Sequence, residues 1–412
     1  MADDLTSRNS GRVSAGNVDA VASAGSLLAM IASGKARSRG DLAEMSGLSR
    51  ATISQRLSAL FATGFVEEAD ETLPSGGRPA RVLHLCPEFA VVLAADIGED
   101  HVRLAVTDLS PSIIAEVTDR IDIRKGPVHV LSAITRHFSN LLKSLGRSKS
   151  DVLGIGLSLP APVDFQGGRV FGPSVMAGWD DFDIRGWLNA EFDAPVVAEN
   201  DVNLMALCEF HRFWPEANHM VFIKAGTGIG SGIVTEGHLY RGAQGAAGDI
   251  GHIQFDLRDP PLCRCGKLGC VEARAAGWAI ARDLKHLGFD AYNGRDVIEL
   301  LRQGKPDAVR LVREAGRVLG EAVATVVGVL NPEIIVVGGT LSSADEYLLS
   351  GVRELIYQRS LPLATRELKI VRAKGDAAAG LLGASYLVMG TVLHHQRIDA
   401  VIERFRHRLV QS

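Results

Sequence analysis

Residues 248–272 read GDIGHIQFDLRDPPLCRCGKLGCVE and hold three of the chain's five cysteines. Cys263, Cys265 and Cys270 follow one another closely, and ten residues separate His252 from the first of them. Three thiolates and one imidazole are a standard tetrahedral zinc set, and the intervening glycines let the backbone fold tightly around one centre. Disulfide pairing is the alternative, but Cys263 and Cys265 are too close to bridge, and three cysteines cannot all pair. The spacing therefore predicts a structural zinc ion (Zn2+) held by His252, Cys263, Cys265 and Cys270.

The composition of the whole chain excludes several classes of protein. A length of 412 residues suggests two or three domains. The formal net charge of −4 gives no global signal for nucleic acid or membrane. No apolar run approaches the roughly 20 residues of a spanning helix, and the opening residues MADDL lack the layout of a secretory signal. The few cysteines fit a reducing compartment. We therefore expect a soluble, cytoplasmic protein that makes no membrane contact.

The first 88 residues have the pattern of a tail followed by a winged helix-turn-helix domain. Residues 1–17 are small and polar, which predicts disorder. Five short elements follow: helices at 18–32, at 39–45 and after Ser49, and strands at 65–68 and 81–85. Ser49 is a good N-cap for the third helix, and Gly64 is expected to end it. In this fold the third helix enters the major groove of DNA.

The predicted third helix has one apolar face and one polar face. Ile53 and Leu57 lie on the buried side at helical spacing. Between residues 35 and 57 there are five basic and two acidic residues, a local balance of +3 in an acidic chain. A helical protein-interaction module is the alternative to DNA binding. The predicted DNA contacts are Arg50, Ala51, Thr52, Gln55, Arg56 and, in the turn between the strands, Arg78.

From about residue 89 the sequence has an α/β pattern without a low-complexity linker. Predicted strands lie at 91–96, 102–108, 113–117, 152–159, 195–198, 220–225, 231–235 and 334–337. Helices are predicted at 126–145, as a block at 296–330, and from about 377 onward. We interpret the region as two lobes around a cleft. The predicted division is a DNA-binding domain at 18–88, a first lobe at 89–200 plus 377–412, and a second lobe with the zinc site at 201–376.

Four motifs of this region occur in the order seen in the ROK family (repressors, open reading frames and sugar kinases). Besides the zinc stretch they are ENDVN at 199–203, GTGIGSG at 226–232 and the pair Gly338-Gly339. The resemblance covers the chain from about residue 90, and the N-terminal domain resembles that of the family's repressors. It implies an actin-like, two-lobed sugar kinase fold, with the sugar and the nucleotide in the cleft.

The resemblance also implies roles for individual residues of the sugar site. In family kinases the residue matching Asp201 is the catalytic base, and the one matching Asn200 bonds a sugar hydroxyl; a simple helix cap is the alternative. Those matching His252 and Glu272 contact the sugar. Asp249 stands where the family usually has Glu and is about 1.5 Å shorter, which predicts an altered sugar preference. Ala161 replaces a usual Gly, at a cost of roughly 1–2 kcal/mol if a positive φ is needed there.

The phosphate-binding elements are only partly retained. Asp96 and Gly98 of the first phosphate loop are present, but Glu99 and Asp100 place two carboxylates in it. A carboxylate about 4 Å from a phosphate charge repels it by roughly 4 kcal/mol at an effective dielectric constant of 20. A working phosphate loop remains the alternative to retained architecture for the second loop. The predicted vestigial nucleotide residues are Asp96, Gly98, Gly226, Thr227, Gly228, Gly338 and Gly339.

Together these features predict a sugar-responsive repressor without kinase activity. It would bind operator DNA as a homodimer, or within a tetramer, and take a sugar or sugar derivative at Asn200, Asp201, Asp249, His252 and Glu272. The alternative is an ATP-dependent sugar kinase with an added DNA-binding domain, which the presence of Asp201 favours. A third hypothesis is a repressor controlled by sequestration on a protein partner.

Overall fold

A computed structural model of the chain describes residues 24–73, 80–172, 176, 178–255, 258–375, 377–394 and 396–409. The chain divides into two compact units. The first contains the described residues up to Val91, Asp108–Ser110 and those from Val388 onward; the second contains Val92–Thr107 and Pro111–Leu387. The predicted tail at 1–17, the start of the first predicted helix and Arg78 lie outside the described residues.

The N-terminal part of the first unit has the predicted order of three helices and a hairpin. Its elements are α1 (Ala24–Ala32), α2 (Arg39–Ser46), α3 (Arg50–Thr63), β1 (Val66–Leu73) and β2 (Ala80–Leu85). The Ser49 side chain accepts a hydrogen bond from the Thr52 amide at 3.2 Å, and Gly64 ends α3 at φ +76°. Ile53 and Leu57 are buried, and β1 pairs antiparallel with β2. The predicted cap, stop and buried face of the third helix are therefore confirmed.

The second unit begins with a mixed five-stranded sheet of order β5-β4-β3-β6-β9. In chain order the elements are β3 (Val91–Ile97), β4 (Val102–Thr107), β5 (Ile113–Asp119), α4 (Pro127–Ser144), β6 (Val152–Leu159), β7 (Val163–Asp164), β8 (Arg169–Val170), α5 (Ile184–Phe192), β9 (Val196–Asn200) and α6 (Asp201–Phe213). β6 and β9 are parallel, with Ser158 opposite Glu199. This register brings the residues just before Asp201 beside the end of β6.

A second five-stranded sheet follows, of order β12-β11-β10-β13-β14. Its strands are β10 (His219–Ala225), β11 (Ile229–Thr235), β12 (His238–Tyr240), β13 (Ile334–Gly338) and β14 (Lys369–Arg372). The associated helices are α7 (Glu272–Ala275), α8 (Gly277–His286), α9 (Gly294–Arg302), α10 (Pro306–Leu330), α11 (Glu346–Arg359), α12 (Pro362–Thr365) and α13 (Ala379–Val392). β10 pairs antiparallel with β11 and parallel with β13. The carboxyl ends of β10 and β13 therefore lie side by side.

Two sequence-based assignments differ from this architecture. The block predicted at 296–330 is two helices. The first, α9, ends at Arg302; Gly304 then turns the chain at φ +71°, and Pro306 begins α10. Residues 377–412 were assigned to the first lobe, but those from Val388 onward group with the first unit. There the last helix, α14 (Ile398–Leu409), packs against α1.

Aromatic packing ties α14 to the first unit. The Phe405 ring lies 5.7 Å from that of Phe65 and 5.3 Å from that of Phe89, measured between ring centres. Phe65 and Phe405 are fully buried. The first unit is thus built from both ends of the chain. None of the helices in the described part of the chain is both long enough and apolar enough to cross a membrane.

Candidate functional site

The four predicted metal ligands lie around one point. The ligand atoms of His252, Cys263, Cys265 and Cys270 are all within 4.8 Å of one another. Cys263 Sγ lies 3.8 Å from His252 Nδ1, and Cys265 Sγ lies 3.8 Å from Cys270 Sγ. In a tetrahedron with zinc–sulfur bonds of about 2.3 Å, two sulfurs stand about 3.8 Å apart. The donor atoms and their spacing fit a single tetrahedral metal ion.

Local backbone geometry positions these ligands. The Cys263 amide donates to the Lys267 carbonyl at 2.8 Å, and the Gly266 amide donates to the Cys263 carbonyl at 3.0 Å. Gly266 and Gly269 both have positive φ values, of 85° and 76°, which residues with a Cβ rarely adopt. The glycines between the cysteines therefore turn the chain back on itself, as the sequence pattern predicts.

Asn200 and Asp201 join β9 to α6. The Asn200 side-chain oxygen accepts from the Val202 amide at 3.0 Å, and its nitrogen donates to the Ala161 carbonyl at 3.1 Å. Asn200 is therefore the N-cap of α6, the alternative that the sequence left open, and it also fixes the loop after β6. Ala161 is buried and is not among the residues with positive φ, so the expected backbone strain is absent there.

Lys224, which the sequence analysis did not consider, pairs with Asp201. It lies near the end of β10, and its ammonium forms a hydrogen-bonded ion pair with the Asp201 carboxylate. Burial alone would lower the pKa of Lys224, but the carboxylates of Asp201, Asp96 and Glu99 outweigh burial and raise it. Three carboxylates therefore act on one ammonium. The signal in the sequence was a lysine within the otherwise apolar strand MVFIKA.

Asp96 lies at this cluster in a confined space. Ser158 donates a hydrogen bond to its Oδ1 at 2.6 Å, and a side chain at Gly380 would meet the carboxylate at 2.7 Å. Burial raises the pKa of Asp96, and the nearby Asp201 adds to this, against the lowering effects of Ser158, Lys224 and other cations. The predicted residue Asp96 is thus held beside Asp201.

Glu199 forms a second buried ion pair that the sequence analysis missed. Its side chain is 2% exposed and accepts from Arg241 Nε at 2.6 Å. The other carboxylate oxygen accepts from the Asn200 amide and the Asn203 side chain, both at 2.9 Å. Arg241 also stacks on Phe165, with its guanidinium carbon 3.8 Å from the ring centre. Glu199 thus links the residue before Asp201 to the segment that leads to Asp249.

The glycine loop between β10 and β11 is tightly packed. Glu272 accepts a hydrogen bond from the Ile229 amide at 3.0 Å, and a side chain at Gly228 would meet its carboxylate at 2.7 Å. The Gly226 carbonyl accepts from the Gly277 amide at 2.7 Å. One oxygen of Glu272, a predicted sugar ligand, is therefore engaged with this loop. The Asp249 side chain, a further predicted sugar ligand, is exposed.

The second glycine pair lies next to this loop. Gly339 follows β13 with φ +83°, and a side chain there would meet the Ala225 carbonyl at 2.5 Å. Gly338 lies opposite Lys224 in the sheet. Thr227 is exposed at the tip of the β10–β11 loop. The predicted nucleotide residues of the second sheet are therefore brought together at one sheet edge.

The turn between β3 and β4 holds the two carboxylates expected to disfavour phosphate. Asp100 is 91% exposed, and its Oδ1 lies 2.7 Å from His101 Nδ1; this hydrogen bond lowers the pKa of Asp100. The His101 ring covers Gly98, 2.7 Å from where a Cβ would stand. Asp100 is therefore turned toward His101 and solvent, whereas Glu99 contributes to raising the pKa of Lys224.

In the first unit, α3 presents most of the residues predicted to contact DNA. Arg50, Ala51 and Gln55 are exposed, and Thr52 and Arg56 are half-buried. The Thr52 hydroxyl lies 2.9 Å from the Ser49 hydroxyl, so it takes part in the helix cap. One face of the helix is thus polar and accessible.

Comparison with known proteins identifies the family. The family model for "ROK family" matches residues 92–391. The chain is 26% identical over 382 residues to the xylose repressor of Caldicellulosiruptor bescii, covering 89% of this chain and 95% of that one. It is 30% identical over 313 residues to a glucokinase of Halalkalibacterium halodurans, covering 72% and 94%. A crystal structure of a ROK family transcriptional regulator, a homologue of the E. coli MLC protein, matches with a TM-score of 0.80 and 25% identity, over 94% of this chain and 100% of that one. The chain belongs to the ROK family.

Proposed function

We propose that this chain is a sugar-responsive transcriptional repressor that binds operator DNA as a dimer. The observation that carries the proposal is the first unit, in which α3 exposes a polar face above a buried one. The similarity to a xylose repressor extends over 89% of the chain, whereas that to a glucokinase covers 72%. The match to the ROK family model begins at residue 92, after the three helices and the hairpin of the first unit.

The proposed effector is a sugar held near Asn200 and Asp201. Asp249, His252 and Glu272 would complete its contacts, and a structural zinc ion on His252, Cys263, Cys265 and Cys270 would hold the His252 ring in place. Support comes from the convergence of the four metal ligands and from the position of Asp201 at the N-terminus of α6. Ligand binding changes DNA affinity only through a difference in affinity between two states, typically 1–3 kcal/mol.

A sugar kinase is the second candidate, favoured by the retained Asp201 and the glucokinase similarity. The position of Lys224 argues against kinase activity, because its ammonium is paired with the Asp201 carboxylate, which would have to accept a proton from the sugar. Glu99 adds negative charge where phosphates would lie. We therefore propose that kinase activity has been lost. A coupled assay with Mg-ATP and a panel of sugars tests this: measurable turnover would contradict the proposal.

The direct test of the repressor proposal is fluorescence anisotropy with labelled DNA from upstream of the protein's own gene. We expect tight binding that one sugar of a panel shifts at least tenfold. The absence of binding at low salt would contradict the proposal. A DNA affinity that no sugar shifts, but that a protein from the cell lysate does, would instead support control by sequestration.

We predict that Gln55→Ala weakens operator binding about 5- to 150-fold and relaxes base preference at one position. A bidentate contact of glutamine with adenine contributes about 1–3 kcal/mol to discrimination. If Arg50 contacts a phosphate, Arg50→Ala should also reduce, by roughly one, the slope of the logarithm of the DNA-binding constant against the logarithm of the salt concentration. Gln358→Ala, an exposed glutamine on α11 of the other unit, is the matched control and should bind like the unaltered chain. Equal affinity of Gln55→Ala and the control would exclude Gln55 from the interface.

We further predict that Asp201→Asn weakens the response of DNA binding to the sugar at least tenfold, because a charged acceptor is replaced by a neutral one. DNA affinity without sugar should change little. Asp193→Asn is the control: the same chemical change at an exposed residue with φ 48°, which asparagine tolerates. An unchanged sugar midpoint in Asp201→Asn would remove Asp201 from the effector site.

A further inference from the structure

The cluster around Lys224 has an unusual balance of charge. Its ammonium pairs with Asp201, and the carboxylates of Asp96 and Glu99 also raise its pKa. Asp96 lies on β3, Asp201 begins α6 after β9, and Lys224 lies on β10 of the other sheet. One cation from the second sheet thus meets carboxylates presented by the first.

The surroundings fix the partners of this ammonium. Ser158 holds Asp96 at 2.6 Å, and the close approach of Gly380 leaves the Asp96 carboxylate little room to move. Asp201 is fixed by the first turn of α6, whose cap is Asn200. The Lys224 and Asp201 side chains are only 25% and 16% exposed. Two carboxylates held this way would attract a divalent cation, since oxygen ligands of this kind bind Mg2+ and Mn2+.

We propose that the Lys224 ammonium is the resident counter-cation of the Asp201 and Asp96 carboxylates, and that the site therefore binds an uncharged, unphosphorylated sugar without divalent metal or nucleotide. The second half of this inference rests on the proposed sugar site. Lys224 offsets part of the negative charge of the two carboxylates, which can then accept hydrogen bonds from the hydroxyl groups of a neutral sugar. A phosphate group would bring two further negative charges toward Asp96, Glu99 and Asp201. Lys224 would oppose them, whereas Arg103, which also acts on Asp96, is already paired with Glu116.

The role of Lys224 is tested by Mn2+ titration, with free Mn2+ measured by electron paramagnetic resonance. Lys224→Met keeps the length of the side chain and removes its charge. We expect Lys224→Met to bind one Mn2+ at least tenfold more tightly than the unaltered chain. The double variant Lys224→Met/Asp201→Asn should lose this gain, and Lys369→Met, at an exposed lysine of β14, should not show it. No gain in Lys224→Met, or a gain kept by the double variant, would overturn the assignment.

The ligand class is tested by calorimetry on the unaltered chain without added metal or nucleotide. D-glucose and N-acetyl-D-glucosamine are each compared with their 6-phosphates, and D-xylose is added as a pentose. We expect at least one free sugar to bind, and its phosphate to bind at least tenfold more weakly. Tighter binding of a phosphate, or binding only with a Mg-ATP analogue, would overturn this half. If no sugar binds, the result contradicts the proposed effector site. The Mn2+ titration would still decide the role of Lys224.

Discussion

Replacing Cys270 by serine is expected to abolish binding of the proposed zinc ion and to lower the midpoint of thermal unfolding by about 5 °C or more. Cys270 is fully buried, and its sulfur lies 3.8 Å from that of Cys265. Structural zinc contributes apparent binding free energies of about 10–16 kcal/mol in small domains. A loss of only a third of that, at about 1.6 °C per kcal/mol for a unit that spans Val92–Thr107 and Pro111–Leu387, accounts for the expected fall.

The control for Cys270→Ser is Cys208→Ser. Cys208 is equally buried but lies on α6 away from the cluster. It should lose some stability through burial of a hydroxyl, yet keep one zinc per chain by elemental analysis. Zinc content of one per chain in Cys270→Ser, with an unchanged unfolding midpoint, would contradict a four-ligand structural site.

Removing the zinc should also act on the glycine loop. Glu272 follows Cys270 by two residues and accepts the Ile229 amide at 3.0 Å. Treatment with a strong chelator should therefore increase hydrogen exchange at Ile229 and in the zinc stretch before it does so in β13. The sugar response should fall in parallel, since His252 is both a proposed metal ligand and a proposed sugar contact.

The convergence of the four candidate metal ligands could be predicted from the sequence because they are close along the chain. The short spacing of Cys263, Cys265 and Cys270 is visible in the sequence itself. The tight turns at Gly266 and Gly269 require glycine. The third helix could likewise be predicted, because its cap, its stop and its apolar period are all local signals. Local patterns thus give elements and compact motifs reliably.

The ion pairs of the proposed sugar site could not be predicted in this way. Lys224 and Asp201 are 23 residues apart, and Arg241 and Glu199 are 42 apart; in each pair one residue lies in or directly after a strand of the first sheet and the other in or directly after a strand of the second. Their pairing depends on how the two sheets pack, which no periodicity encodes. In the sequence Glu99 and Asp100 are equivalent carboxylates, whereas in the structure Asp100 is hydrogen-bonded to His101.

The end of the chain shows the same limit. The helical pattern after residue 377 is visible in the sequence, but not that its last helix packs on α1. In the same unit the Phe405 ring packs against the rings of Phe65 and Phe89. An apolar side chain in a basic helix indicates a buried face without indicating what covers it.

Arg241→Met is expected to destabilise the second unit by about 3 kcal/mol, at the lower end of the range for breaking a buried ion pair. Glu199 is nearly inaccessible, so removing Arg241 leaves its charge without a cation. Two hydrogen bonds, from the Asn200 amide and the Asn203 side chain, remain and limit the loss. The midpoint of thermal unfolding should fall by roughly 5 °C.

The double variant Glu199→Gln/Arg241→Met separates loss of charge pairing from loss of packing. A neutral glutamine keeps an oxygen that accepts from Asn200 and Asn203, so most of the lost stability should return. Arg124→Met is the control, since its pair with Asp122 is 2.8 Å long but the arginine is 76% exposed; such pairs contribute about 0–1 kcal/mol. A double variant as unstable as Arg241→Met would show that stacking of Arg241 on Phe165 matters more than the buried charge.

The same pair should influence the effector site, because Glu199 directly precedes the Asn200-Asp201 pair. Arg241 follows β12 and stacks on Phe165 of the β7–β8 hairpin, so it connects the two sheets beside Asn200. When Arg241 is removed, the segment from 241 to 248 loses its ion pair with Glu199 and its stacking on Phe165, while the close approach of Gly245 to Val163 remains. We therefore expect Arg241→Met to weaken sugar binding as well as stability, and Glu199→Gln/Arg241→Met to recover stability but not the sugar response.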